Sequence, residues 1–237
     1  MSVSRAVPPF PDPAKAAFGD ASSPLRTEAL IERLARRLRP IPRGAVARRL
    51  TALAALGAAV SVVLVAATLG FRPDLASAVT TTMFWVKLCY TLALAGLSIW
   101  SLERLARPAA TAWERLQWLA LPVGAVLVLG AGQLAEAPAS GRLALVLGST
   151  AAVCPWRILA FSSPPFLALI WAVRGLAPDC PRLAGAIVGL GAGGLGAAAY
   201  ALACTETAAP FLGIWYSSAI MGLALAGVIV APLVLRW

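Results

Sequence analysis

From Leu50 onward the chain alternates long apolar runs with short turns rich in charge, proline or glycine, and the first run, 50–69, carries no charge at all. A helix needs roughly 20 mostly apolar residues to cross the hydrocarbon core. Runs of that size recur at 50–69, 84–102, 116–134, 156–173, 183–203 and 211–235. Lipid offers no partner to a backbone N–H or C=O, so each run must close its hydrogen bonds internally as a helix. The pattern thus predicts an all-α membrane protein, a six-transmembrane-helix bundle. Segment 142–153 is apolar but short, and Pro155 and Arg157 divide it from the fourth run. It is re-entrant, interfacial, or a seventh crossing.

Ahead of the bundle the pattern changes. Residues 1–23 hold four prolines among small and polar residues, the composition of a disordered leader. A helix is then predicted from Pro24 to about Leu38: Ser23 suits the cap, Pro24 the first helical position, and Glu28 an early site favoured by the dipole. At about 100° per residue, Leu30, Ile31, Leu34 and Leu38 share one face, and Arg33, Arg36, Arg37 and Arg39 take the rest. Pro40 and Pro42 end it. An exposed helix of about four turns is marginal alone. Its apolar stripe calls for an anionic lipid surface or a groove on a partner protein, and periodicity does not separate the two. The domains expected are a tail, 1–48, with its binding segment near 24–43, and a membrane domain, 49–237.

Charge sets the orientation. Ten of the twenty Lys and Arg residues precede Leu50, and basic residues accumulate on the cytoplasmic side of a membrane. With six spans and the N-terminus inside, those ten are joined by Arg104, Arg107, Arg115, Arg174, Arg182 and Arg236, leaving only Arg72, Lys87, Arg142 and Arg157 outside. A seventh span would change sixteen against four into fourteen against six. Six spans, with both termini cytoplasmic, fit better. The first run reads as a signal anchor, and Arg48 and Arg49 as its positive flank. Nucleic acid ranks low as a partner for the net charge of +10, because the tail lacks interleaved aromatic residues.

Chemistry is scarce. Histidine is absent, and the ten acids are scattered, so an acid–base or mixed metal site has little to be built from, and an enzyme is the poorest class. No cofactor is expected. Asp74, Glu136 and Glu206 read as solvated residues at helix ends. Lys87 is expected to snorkel to the headgroups beside Trp85. Gly189, Gly191 and Gly194 match GxGxxG inside an apolar run, where no dinucleotide site forms. With Gly185 and Gly193 they give small residues for close helix packing, within the bundle first and in a homodimer second. Cys89 and Cys180 read as inert or reduced thiols. Cys154 and Cys204 both fall near the outer face, either as a redox or thiophilic-metal sensing pair or as small apolar residues. A small channel or transporter is the alternative function, with Pro164 and Pro165 interrupting the fourth span. A structural membrane subunit with a lipid-binding N-terminal helix is another.

Seven motifs carry a resemblance. GFRPDL (70–75), FWVKL (84–88), LARP (105–108), WAVRGLAP (171–178), YALACTE (200–206), APFLGIWY (209–216) and the final LRW (235–237) resemble, in that order, the NrsF family of membrane anti-sigma factors. The resemblance implies an inner-membrane protein whose N-terminal segment sequesters an extracytoplasmic-function sigma factor, through positions Leu30, Ile31, Leu34, Leu38, Arg39, Pro40 and Ile41. It also implies that Cys154 and Cys204 take part in sensing oxidative or heavy-metal stress, as a disulfide or as metal ligands. The chain departs from the family pattern at Arg37, where an acid is expected, and at Ala203, where histidine is expected.

Overall fold

The computed structural model describes residues 24–37, 44–105, 113–176 and 178–235, in two units that divide after Pro42. The first contains helix α1, Pro24–Arg37. Its length agrees with the amphipathic reading, and Leu30, Ile31 and Leu34 stand 58–60% exposed along one stripe. Glu28 falls in the second turn, so the first turn has no acid. Ser23, Leu38, Arg39, Pro40 and Ile41 lie outside the described residues.

The second unit is a helical bundle, and its described residues include six helices long and apolar enough to cross a membrane: α2 Ala45–Thr68, α3 Thr82–Leu105, α4 Glu114–Glu136, α6 Cys154–Arg174, α7 Pro181–Ala201 and α8 Ala209–Val234. Helix α5, Ala139–Leu147, has nine residues and none buried, too short to cross. The helices outrun the apolar segments by a few residues because charged ends continue the helix into the interface, as Arg48 and Arg49 do in the first turns of α2.

Helix α7 is the axis. In its most apolar stretch 78% of residues are buried, against 22–44% in the other five spans. Glycine makes this possible. Gly185 and Gly189 lie against the α8 backbone at Gly227 and Leu223, Gly194 against Thr91 of α3, and Gly196 against Ser162 of α6, so a Cβ at any of them would strike its neighbour. The small-residue stripe is consumed inside the bundle, and the GxGxxG match is packing.

Pro164 and Pro165 do not break α6, which runs unbroken from Cys154 to Arg174. A proline lacks the N–H that would bond the carbonyl four residues earlier, leaving Ala160 and Phe161 with free acceptors. Ser163 Oγ donates to the Ala160 carbonyl at 2.7 Å, and Ser61 Oγ of α2 donates to that of Phe161 at 2.6 Å. Pro165 also packs directly on Gly57 of α2. A sequence irregularity thus becomes a joint between the first and fourth spans. Arg49 secures the far end of the same pair, its guanidinium 5.9 Å from the Trp171 ring and bonded to the Trp171 carbonyl.

Ser61→Ala should destabilise the protein by about 1 kcal/mol, the scale of one buried hydrogen bond, read as a lower thermal unfolding midpoint in detergent. Gly189→Leu should abolish the folded, monodisperse species, whereas Gly222→Ala, with open space around it, should unfold with the parent.

Candidate functional site

At one end of the bundle the loops 69–81, 148–153 and 202–208 meet, and polar side chains tie them together. The Arg72 backbone N–H donates to the Leu202 carbonyl at 3.2 Å. The Arg72 side chain, 8% exposed, forks onto Asp74 at 2.7 and 2.6 Å and sends its third N–H to the Cys204 carbonyl at 3.3 Å. Asp74, expected to be simply solvated, is half exposed yet paired. The hydrogen bonds from Arg72 hold its carboxyl below the usual range against a smaller opposing effect of burial.

Glu206 was also expected to be a solvated helix-end residue, and the structure corrects this. Its Oε1 accepts from the Ser149 N–H at 2.8 Å, the Ser149 hydroxyl at 2.6 Å and the Thr150 hydroxyl at 3.3 Å. Burial alone would raise its pKa; the bonds from Ser149 and Thr150 outweigh that and lower it. Glu206 follows Cys204 by two residues, and Ser149 and Thr150 precede Cys154 by a few, so this carboxylate clamps the two cysteine-bearing loops together.

Cys154 is the first residue of α6, and Cys204 lies in the loop between α7 and α8. Both are buried free thiols in one core cluster. The neighbouring Cys154 thiol, then the Lys87 ammonium, lowers the Cys204 thiol from the usual range despite burial. Among the described residues no three His, Cys, Asp or Glu side chains converge. A thiophilic cation or a disulfide would therefore involve these two sulfurs alone.

Lys87 overturns another expectation. It does not snorkel: it is 1% exposed, in the second turn of α3, bonded to the carbonyls of Cys204 and Glu206. Its ammonium lies 5.5 Å from the centre of the Tyr216 ring. Tyr216 is fully buried in the same core cluster as Cys204, and its hydroxyl has no hydrogen-bond partner. It ends a π turn, Leu212–Tyr216, at the start of α8, a distortion common at functional sites. A lysine inside an apolar run is costly enough in lipid to signal a role; its nearness to the end of the run made snorkelling the simpler reading.

The other cysteines, Cys89 and Cys180, are exposed, unlike the buried pair. Of the tail positions expected to bind a partner, Leu30, Ile31 and Leu34 lie on α1, and the rest lie outside the described residues.

The NrsF family, described as negative regulator of sigma F, matches residues 34–237. The chain is 38% identical over 214 residues to the probable anti-sigma-F factor NrsF of Azospira oryzae, covering 90% of this chain and 100% of that relative. It is 38% identical over 220 residues to the anti-sigma-F factor NrsF of Caulobacter vibrioides, with the same coverage. No solved structure matches it. With the match running through all six apolar helices and both buried cysteines, the chain belongs to the NrsF family of negative regulators of sigma F.

Proposed function

We propose that this protein is an inner-membrane anti-sigma factor that sequesters an extracytoplasmic-function sigma factor through its N-terminal segment and releases it when Cys154 and Cys204 react. The observation that carries the reading is an amphipathic helix with an exposed apolar stripe ahead of six apolar helices, in a chain matching relatives named anti-sigma-F factors along their whole length. Both termini are cytoplasmic, as the basic residues require, and the cysteine pair faces the opposite, oxidising compartment. Residues 1–48 serve as the capture segment and 49–237 as the sensor.

Leu30, Ile31, Leu34 and Leu38 enter a groove on the sigma factor, and Arg39, Pro40 and Ile41 extend the contact. A lipid surface is the competing home for this stripe, but it would leave the kinship with anti-sigma factors without a binding segment. The inducing stress is an oxidant or a heavy metal, since thiols are the groups at the site that both attack. Helix α6 begins at Cys154, while its last turns receive Arg49 of α2, and α2 follows the tail in the chain. A change at the thiol pair is transmitted along α6 and α7 to the start of α2. Release then requires only that the two bundle states differ in affinity; a tenfold difference is about 1.4 kcal/mol.

Leu34→Glu should weaken co-purification of the sigma factor at least about tenfold, about 1.4 kcal/mol, with membrane insertion unchanged; undiminished capture would remove the stripe from the interface. Cys154→Ser and Cys204→Ser should each abolish stress induction of a sigma-dependent reporter, and normal induction in both would end the sensing role. An impermeant maleimide added outside intact cells should spare a cysteine probe placed at position 2, and labelling there would reverse the topology.

A further inference from the structure

Helix α5 is too short to cross the bilayer and buries none of its residues, so its apolar positions face whatever lies beside the bundle. We infer that the trough formed by α4, α5 and the first turns of α8 holds one phospholipid with a net negative headgroup, its phosphate on Arg142 and an acyl chain along α4.

Two hollows make the trough. One, of about 890 Å³, opens between α4 and α5; Leu134, Leu143, Val146 and alanines line it, and Arg142 is its one charged residue. The other, of about 160 Å³, lies between α4 and α8, from Val126 to Leu134 on one wall and Pro210 to Ile214 on the other, with no charge at all. They meet at Ala131 and Leu134, which line both. Along α4 the lining extends from Val126 to Ala135, about 14 Å at 1.5 Å per residue. Half of the hydrocarbon core is about 15 Å thick. The trough therefore has the depth of a single leaflet, with its cation at the end where α4 turns into α5.

Every apolar span meets hydrocarbon somewhere, and the cation is what distinguishes this place. Arg142 donates from Nε to the Ala137 carbonyl at 3.1 Å, which fixes the guanidinium beside the end of α4 and leaves its two Nη groups for a further acceptor. It is exposed, and no carboxylate among the described residues pairs with it. Glu136, the acid nearest in the chain, lines a different hollow with Met83, Gln133 and Thr207. A guanidinium fork matches two phosphate oxygens, and basic pockets beside transmembrane helices recognise lipid headgroups. A zwitterionic lipid would bring an ammonium for which the lining has no carboxylate, and a free phosphate would leave the apolar trough empty.

The site borders the polar loops at this end of the bundle. The Trp215 indole N–H of α8 donates to the Val146 carbonyl of α5 at 2.9 Å, and α5 runs through Gly148 into Ser149 and Thr150, which hold Glu206. A lipid seated on α5 thus bears on the segment that leads to α6.

The test is native mass spectrometry of the full-length protein in a non-ionic detergent, titrated with phosphatidylglycerol or with phosphatidylcholine of the same acyl chains. The parent should retain one phosphatidylglycerol at concentrations where phosphatidylcholine is lost. Arg142→Ala should weaken that retention about fivefold or more, the scale of one basic residue at a headgroup, and Arg142→Lys should keep part of it. Ala131→Trp, at an exposed position where the two hollows meet, should expel the lipid while leaving Arg142 in place. Retention indifferent to Arg142→Ala, equal retention of phosphatidylcholine, or no lipid held by the parent would each overturn the inference. Displacement by glycerophosphoglycerol, the headgroup without chains, as effective as by the whole lipid would overturn it too, by reducing the site to a free anion on Arg142. If Ala131→Trp fails to fold, Arg142→Ala, an exposed substitution, and the chain-free headgroup still decide the matter.

Discussion

A carbonyl oxygen in an apolar environment must find a donor, and this constraint organises the bundle. Within the spans the helix supplies the donor. Where it cannot, a particular side chain does: Ser61 and Ser163 take the carbonyls freed by Pro165 and Pro164, and Trp215 takes that of Val146 at 2.9 Å. At the loop joining α7 and α8, two cations serve the same purpose, Arg72 for Cys204 and Lys87 for Cys204 and Glu206. The loop that carries Cys204 is thus held by positive charge through its backbone carbonyls.

The same polar contacts gather around the buried Cys154 and Cys204 at this end of the bundle. Cysteine chemistry needs an ionised sulfur, which an apolar interior resists. The loops provide backbone N–H groups, a helix N-terminus and two buried cations, while the surrounding tyrosines and phenylalanines keep the site dry. Glu206 adds a clamp to the loop before Cys154. Helix α7, pressed against α3, α6 and α8 through its glycines, is placed to carry a displacement at its end to every helix it touches.

Kinship with anti-sigma-F factors supplies the coarse function, and under the function proposed above two features of the described residues divide the work. One is an exposed leucine and isoleucine stripe on a short helix that is too small to be stable in water by itself. The other is a buried thiol pair. The regulatory problem is to couple them, and a bundle with one central, tightly packed helix suits that, because close-packed interiors shift between discrete arrangements rather than deforming smoothly.

Much of this was legible in the chain. Run length and the absence of charge marked the six long apolar helices, because hydrocarbon thickness and the backbone's need for internal bonds leave few choices; segment 142–153 stayed open in the sequence, and the structure gives there only the nine-residue helix Ala139–Leu147. The 3.6-residue period and a capping proline placed a helix over 24–37, and loop alternation put Cys154 and Cys204 at one end of the bundle. What sequence could not reach was every relation that depends on which side chains meet across helices. Lys87, read as a snorkelling residue, turns inward; Glu206 and Asp74, read as solvated, are bonded; and Pro164 and Pro165, read as an interruption, are accommodated by serines 163 and 61. These outcomes depend on distances between residues far apart in the chain, and periodicity along a single helix contains no information about the partner packed against it.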